Sequence, residues 1–254
     1  MLFTQHLLAL AALAVSTLAI DCPGSDTAGT PCTSGVFVLS ARGTDESSNA
    51  PFQNGPNYTD QQGQQDVATA LVNKAGGYCR SLPYAASPGL LYFVSAPTRR
   101  FNDIASINYG IKQGQSIIKE YVNRCKSTVN PRVILLGYSQ GGQVMTSVLI
   151  GGQGYPTLED YKQYITGGAF FASPCFVAKY PIDGGNSTTS GLFARGPISY
   201  NYFSTTYSNR LRNYCQAGDE FCAAGGFADA NIAIHRNSVN TYKQEAINFL
   251  LPLV

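Results

Sequence analysis

Val133-Ile134-Leu135-Leu136-Gly137-Tyr138-Ser139-Gln140-Gly141-Gly142-Gln143 decides how this chain is read. Four consecutive branched or aliphatic residues form a run of strand length that is apolar on both sides, as in a strand covered on two faces. Glycines at 137, 141 and 142 let backbone approach closely around a serine, and Gln143 onward, with Val144, Met145, Val148 and Leu149, has helical spacing. A strand, a sharp turn carrying Gly-x-Ser-x-Gly, and a helix together form the context in which a serine is exposed as a nucleophile. The pentapeptide without that context is an ordinary glycine-rich turn.

Working outward, strand and helix patterns alternate. Gly35 to Ser40 reads as a buried strand leading into the loop Ala41-Arg42-Gly43-Thr44-Asp45-Glu46. Thr59 or Asp60 can cap a helix bearing Val67, Leu71 and Val72. Leu90 to Val94 is the next apolar run, and Ile104 to Cys125 has helical spacing. Ile165 to Ala172 and Leu211 to Tyr214 are further expected strands. The Gly-rich stretch from about Ala178 to Ser199 reads as irregular, as does the segment up to His235. A closing helix fits Tyr242 to Leu251. The alternation predicts an α/β fold: three layers around a central, mainly parallel sheet, in one domain spanning residues 20–254.

Residues 1–19 read as a signal peptide. Leu7 to Val15 is apolar but too short to span a bilayer, and Thr17-Leu18-Ala19 ends it with an A-x-A-like cleavage signal. Export predicts that the seven cysteines serve mainly as disulfides, with the odd count leaving one thiol over. Cys175, in the apolar run Phe170-Phe171-Ala172-Ser173-Pro174-Cys175-Phe176, reads as a buried inert thiol. Asn57-Tyr58-Thr59 and Asn186-Ser187-Thr188 are N-glycosylation sequons. The charge balance is close to even, with 17 Lys and Arg against 15 Asp and Glu, and no basic cluster stands out. Nucleic acid is therefore not an expected partner. No Cys-x-x-Cys pair exists to suggest a metal site, and neither a metal, a cofactor nor a membrane is expected. The expected state is a monomer.

A serine hydroxyl needs a positioned base. Outside the leader the chain has one histidine, His235, which follows Ser139 in chain order and precedes the expected closing helix. The acid that orients its imidazole should lie between the two, and Asp219, Glu220 and Asp229 are the candidates. Asp219, flanked by Cys215 and Cys222, is ranked first.

These features together resemble the fungal cutinase and acetylxylan esterase family, small secreted serine esterases, and more closely its acetylxylan esterase branch. Val38-Leu39-Ser40-Ala41-Arg42-Gly43-Thr44 is similar to the family's first strand and Ala-Arg-Gly loop. Gly137-Tyr138-Ser139-Gln140-Gly141 matches its nucleophile turn, and Tyr214-Cys215 through Gly218-Asp219 to Cys222 its acid loop. The resemblance implies Ser139, Asp219 and His235 as the catalytic triad, with Thr44 and the backbone N–H of Gln140 as the oxyanion hole. It also implies disulfides Cys32 to Cys125 and Cys215 to Cys222; Cys22 with Cys79 is a further guess. It implies ester hydrolysis without a cofactor. The first substrate reading is acetyl or other short acyl groups on plant cell-wall polysaccharide, encouraged by Gly141-Gly142 followed by Gln143-Val144-Met145. Cutin is the alternative, encouraged by Ile232 and Ile234 as an apolar wall. A non-catalytic binding or effector protein on the same scaffold is the third reading. Ser173-Pro174-Cys175 departs from the Gly-Asp-Pro common in the family, and the spacing from Asp219 to His235 is longer than expected.

Overall fold

In the computed structural model the described residues are 30–44, 46, 60–87, 104–152, 154–224 and 231–254. The expected leader, the strand expected at Leu90 to Val94, Cys22, Asn57 and Asp229 lie outside them. Six strands form one sheet: β1 (Val36–Ala41), β2 (Gly77–Ser81), β3 (Val133–Tyr138), β4 (Ile165–Phe171), β5 (Asp183–Gly185) and β6 (Leu211–Cys215). Their order is β2-β1-β3-β4-β6-β5, and every pairing is parallel. The helices are α1 (Asp60–Ala75), α2 (Ile104–Cys125), α3 (Gln140–Ile150), α4 (Pro197–Tyr207) and α5 (Ile232–Leu250). The α/β fold expected from the sequence is therefore the fold observed.

Side chains alternate across each strand, so each central strand feeds two cores. Phe37, Leu39, Val133, Leu135 and Phe170 face α2, α3 and α4, packing with Ile111, Ile118, Val144, Val148 and Phe203. Val38, Ile134, Leu136 and Phe171 face the other way, toward Val67 and Leu71 of α1 and Val239 and Leu250 of α5. Fully burying each such side chain contributes roughly 1.5–3 kcal/mol, which makes this two-sided sheet the rigid part of the molecule.

Four elements depart from the sequence reading. β2 (Gly-Tyr-Cys-Arg-Ser) is an edge strand, half-buried, with only Cys79 and Ser81 fully inside, so it carries no apolar run to announce it. The Gly-rich excursion contains β5, held by its pairing with β6, and runs into α4, which starts with Pro197 in its first turn. The closing helix begins at Ile232 rather than Tyr242. The Asn231 side chain accepts the Ala233 N–H at 2.8 Å and caps it. Ile232, Asn237, Val239, Asn240 and Thr241 have weak helix propensity, which hid this half of the helix. His235 consequently lies in the first turn of α5, not before it.

Cys32 is bonded to Cys125 and Cys215 to Cys222. Cys79 is also in a disulfide, and Cys175 is a free, buried thiol whose pKa burial pushes up. Among the described residues no helix is long and apolar enough to cross a membrane.

Candidate active site

The site is built at the carboxyl ends of β1, β3, β4 and β6, where open parallel sheets place their loops. β3 ends at Tyr138, and α3 starts at Gln140, leaving Ser139 alone to turn the chain. Ser139 has φ 51° and ψ −118°, a conformation an L-residue adopts only when its surroundings impose it. Its N–H donates to the Phe171 carbonyl at 2.9 Å, and its own carbonyl accepts from Gln143 N–H at 3.1 Å. Both flanks of the turn are thereby anchored to the sheet and to the helix.

Ser139 Oγ lies 2.9 Å from His235 Nε2, and His235 Nδ1 lies 3.0 Å from both carboxylate oxygens of Asp219. Both ring nitrogens are thus occupied. Nδ1–H donates to the carboxylate, which leaves Nε2 as acceptor for the serine proton. The imidazole is held between the Phe221 ring, 4.5 Å away between centroids, and the Tyr138 ring at 5.3 Å. Tyr138 Oη also donates to the His235 carbonyl at 3.3 Å.

Asp219 is 1% exposed, and Oδ1 additionally accepts the N–H groups of Phe221 at 2.8 Å and Cys222 at 2.9 Å. The loop that carries it is closed by the Cys215–Cys222 bond. It is joined to the start of α5 by a bridge between Asp219 and Asn231, where Asn231 N–H donates to the Gly218 carbonyl at 2.9 Å. Among the described residues, Asp219 is the candidate acid that meets His235.

Thr44 comes from the loop after β1. That loop is held by Arg42, whose Nε donates to the Glu46 carbonyl at 2.9 Å, and by Glu46 Oε2, which accepts the Gly43 N–H at 2.6 Å. Tyr84 completes the brace: its hydroxyl donates to the Arg42 carbonyl, and its own backbone carbonyl accepts an N–H from the Arg42 guanidinium. A Cβ on Gly43 would lie 3.4 Å from Ser139 Cβ, so the loop runs directly against the serine. Gln140 is the first residue of α3, where backbone N–H groups have no intrahelical acceptor and the helix dipole is positive. A base-coupled hydroxyl beside such donors can attack a carbonyl carbon and stabilise the resulting oxyanion.

The sequence reading missed a second brace on the acid loop. Asn186 and Ser187 N–H donate to the Cys215 carbonyl, both at 3.1 Å, Asn186 Oδ1 accepts Ala217 N–H at 2.8 Å, and Leu192 N–H donates to Phe221 O at 2.9 Å. The Gly-rich excursion is therefore a strap across the acid loop, and its glycines were the signal that backbone passes close to backbone. Ser173 and Cys175, where the chain departs from the family pattern, are buried. Among the described residues no three His, Cys, Asp or Glu gather as a metal site would require.

A family model described as Cutinase matches residues 31–254. The chain belongs to the cutinase family. Cutinase 11 of Verticillium dahliae is 30% identical over 159 residues, covering 57% of this chain and 50% of the relative. Acetylxylan esterase 2 of Talaromyces purpureogenus is 28% identical over 155 residues, covering 58% of this chain and 62% of the relative. The matched stretches span only about half to three fifths of these relatives' length. Among solved structures, an acetyl xylan esterase superposes with TM-score 0.65 at 22% identity, covering 85% of this chain and 96% of its own. A cutinase-like protein from Cryptococcus sp. superposes with TM-score 0.59 at 17% identity, covering 89% and 98%. At these identities the two structures speak for the cutinase-family fold and not for a substrate.

Proposed function

We propose that this cutinase-family protein is a secreted serine carboxylic-ester hydrolase that removes acetyl or other short acyl groups from plant cell-wall polysaccharide. The observation that carries the reading is the unbroken line from Ser139 Oγ through His235 to Asp219, with contacts of 2.9 and 3.0 Å. Family membership supports the ester-hydrolase class, and the acetylxylan esterase among the curated relatives supports the substrate.

In this mechanism Ser139 Oγ bonds to the ester carbonyl carbon as its proton passes to His235 Nε2. Asp219 holds Nδ1–H and stabilises the imidazolium. The carbonyl oxygen becomes an oxyanion, held by the N–H of Gln140 and by Thr44. Collapse breaks the bond to the alkoxy oxygen, which leaves as the alcohol with the proton from His235. Water, deprotonated by the same imidazole, then cleaves the acyl-enzyme and releases the carboxylic acid and Ser139.

The test is hydrolysis of p-nitrophenyl esters from acetate to palmitate, alongside acetate release from acetylated xylan, with Ser139→Ala and His235→Ala as controls. The expected result is fastest turnover of acetate, acetate released from xylan, and loss of at least about 10³-fold in both variants. A maximum at butyrate or longer, with no acetate from xylan, would transfer the assignment to cutin. An inactive wild type that no organophosphate labels at Ser139 would leave the binding-protein reading standing.

Export also supports glycosylation. Asn186 is exposed at the sheet edge, and its hydrogen bond to Ala217 N–H uses Oδ1, leaving Nδ2 as the atom a glycan would occupy. Protein secreted from a eukaryotic host should lose mass on endoglycosidase treatment, and Asn186→Gln should remove that site's share; an unchanged Asn186→Gln mass would count against occupancy.

A further inference from the structure

The Gln140 side chain has work separate from that of its backbone. It is completely buried, and its carboxamide spends three of its four hydrogen-bonding positions on three different residues. Nε2 donates to the Ser87 carbonyl at 3.0 Å and to Thr44 Oγ1 at 3.2 Å. Oε1 accepts from Ser106 Oγ at 3.1 Å. Ser106 Oγ in turn accepts the Ser87 N–H at 3.2 Å. Gln140, Ser87 and Ser106 thus form a closed ring, in which both backbone groups of Ser87 are held.

The ring sets a direction. Ser106 Oγ has one proton, and with Ser87 N–H already pointing at its oxygen, that proton goes to Gln140 Oε1. The Ser87 carbonyl can only accept, so the nitrogen end of the carboxamide must face it, and the second Nε2–H then faces Thr44. At that contact Thr44 Oγ1 is the acceptor, and its own proton is turned away from Gln140. If the amide were reversed, its oxygen would compete for that proton. Ala86, next to the ring, has φ 52°, a left-handed conformation for a residue with a Cβ, and the ring's bonds to Ser87 hold the chain there.

The geometry points to Gln140 and Ser106 as positioning residues that set the sense of the Thr44 hydroxyl, keeping it a donor toward the oxyanion. Ser106 sits in the first turn of α2 and reaches Thr44 through the Gln140 amide. This deepens the proposed ester-hydrolase reading and rests on it. Preorganised donors contribute because they are already aimed when charge develops, so loss of aim lowers kcat more than it raises KM.

The experiment measures kcat and KM on p-nitrophenyl acetate for Gln140→Met, which keeps shape but removes the amide, and for Ser106→Ala, which removes the donor to Oε1 and loosens the amide. Both are made again in a Thr44→Val background. Thr44→Val is expected to lower kcat about 10²-fold, the ordinary worth of one oxyanion donor. Gln140→Met and Ser106→Ala should each lower kcat about tenfold with KM within twofold, and neither should cost anything further in the Thr44→Val background. Equal losses in both backgrounds, or kcat unchanged in Ser106→Ala, would overturn the inference. If Gln140→Met unfolds by circular dichroism, the Ser106→Ala pair decides alone. Ser139→Ala separates the two levels: activity surviving there removes the serine-hydrolase reading and this inference with it. Its loss, combined with additive Ser106 effects, removes the inference and leaves the reading intact.

Discussion

Gly141 lies so close to the carbonyl of Ala41 that a methyl group at position 141 would overlap it. The end of β1 therefore crosses the first turn of α3 backbone to backbone. This crossing places the Thr44 loop beside Ser139 and Gln140. The obstacle is main chain on both sides, so no rotamer change relieves it.

Gly141→Ala is accordingly expected to push the loop after β1 away from the nucleophile turn. Overpacking of this kind costs about 2–3 kcal/mol. A lower melting temperature together with a reduced kcat on p-nitrophenyl acetate is the expected pair of results. Wild-type values in both would show that the crossing yields easily.

Asp219→Asn keeps the size of the side chain and one acceptor for the Phe221 and Cys222 N–H groups but removes the charge facing His235. An amide there can also donate to Nδ1 and hold the imidazole in the wrong tautomer. The expected loss in kcat is about 10³–10⁴-fold, with the circular dichroism spectrum preserved. A loss under tenfold would mean that another group orients the histidine.

The two disulfides should separate stability from activity. Cys32–Cys125 closes a loop of 93 residues and Cys215–Cys222 one of 7. On chain entropy, the long loop is worth about 4–5 kcal/mol and the short one about 2–3 kcal/mol. Paired Cys→Ser variants should show the larger fall in denaturation midpoint for Cys32/Cys125 and the larger fall in kcat for Cys215/Cys222, which frames Asp219. The reverse order in urea unfolding and p-nitrophenyl acetate assays would refute this division.

Burial raises the Asp183 carboxyl from its ordinary 3.8 to about 6, although it accepts a bond from Tyr180 N–H. The folded protein therefore holds this proton more tightly than the unfolded chain does. The stability it contributes is complete below about pH 4 and is lost as pH rises through 6. Asp183→Asn removes the buried charge, so its melting temperature should match the wild type near pH 4 and exceed it at pH 8. Thermal unfolding at both values checks this, and a gap independent of pH would refute it.

Much of this arrangement was legible in the residues. β1 and β3 announce themselves as unbroken apolar runs because both faces of the sheet are covered. Ser139 stands out because Val133 to Leu136 precede it and glycines surround it. His235 stood out as the only imidazole outside the expected leader. β2, β5, α4 and the start of α5 were not legible, because each is held by neighbours rather than by its own composition. Gly77 to Ser81 pairs with β1, Asp183 to Gly185 with β6, and Ile232 onward is started by the Asn231 cap.

By itself, the sequence determined the alternating order of strands and helices, the residue types needed for acyl transfer and their order along the chain. Those depend on local periodicity and on side-chain chemistry, which are written residue by residue. The tertiary structure alone decided which carboxylate meets His235. It also decided that a strap from 186 to 192 braces the acid loop, and that Gln140, Ser87 and Ser106 close a ring behind Thr44. Each of these joins groups far apart in the chain through hydrogen bonds only about 3 Å long. Contacts that short become available only once the sheet has fixed where its loops emerge.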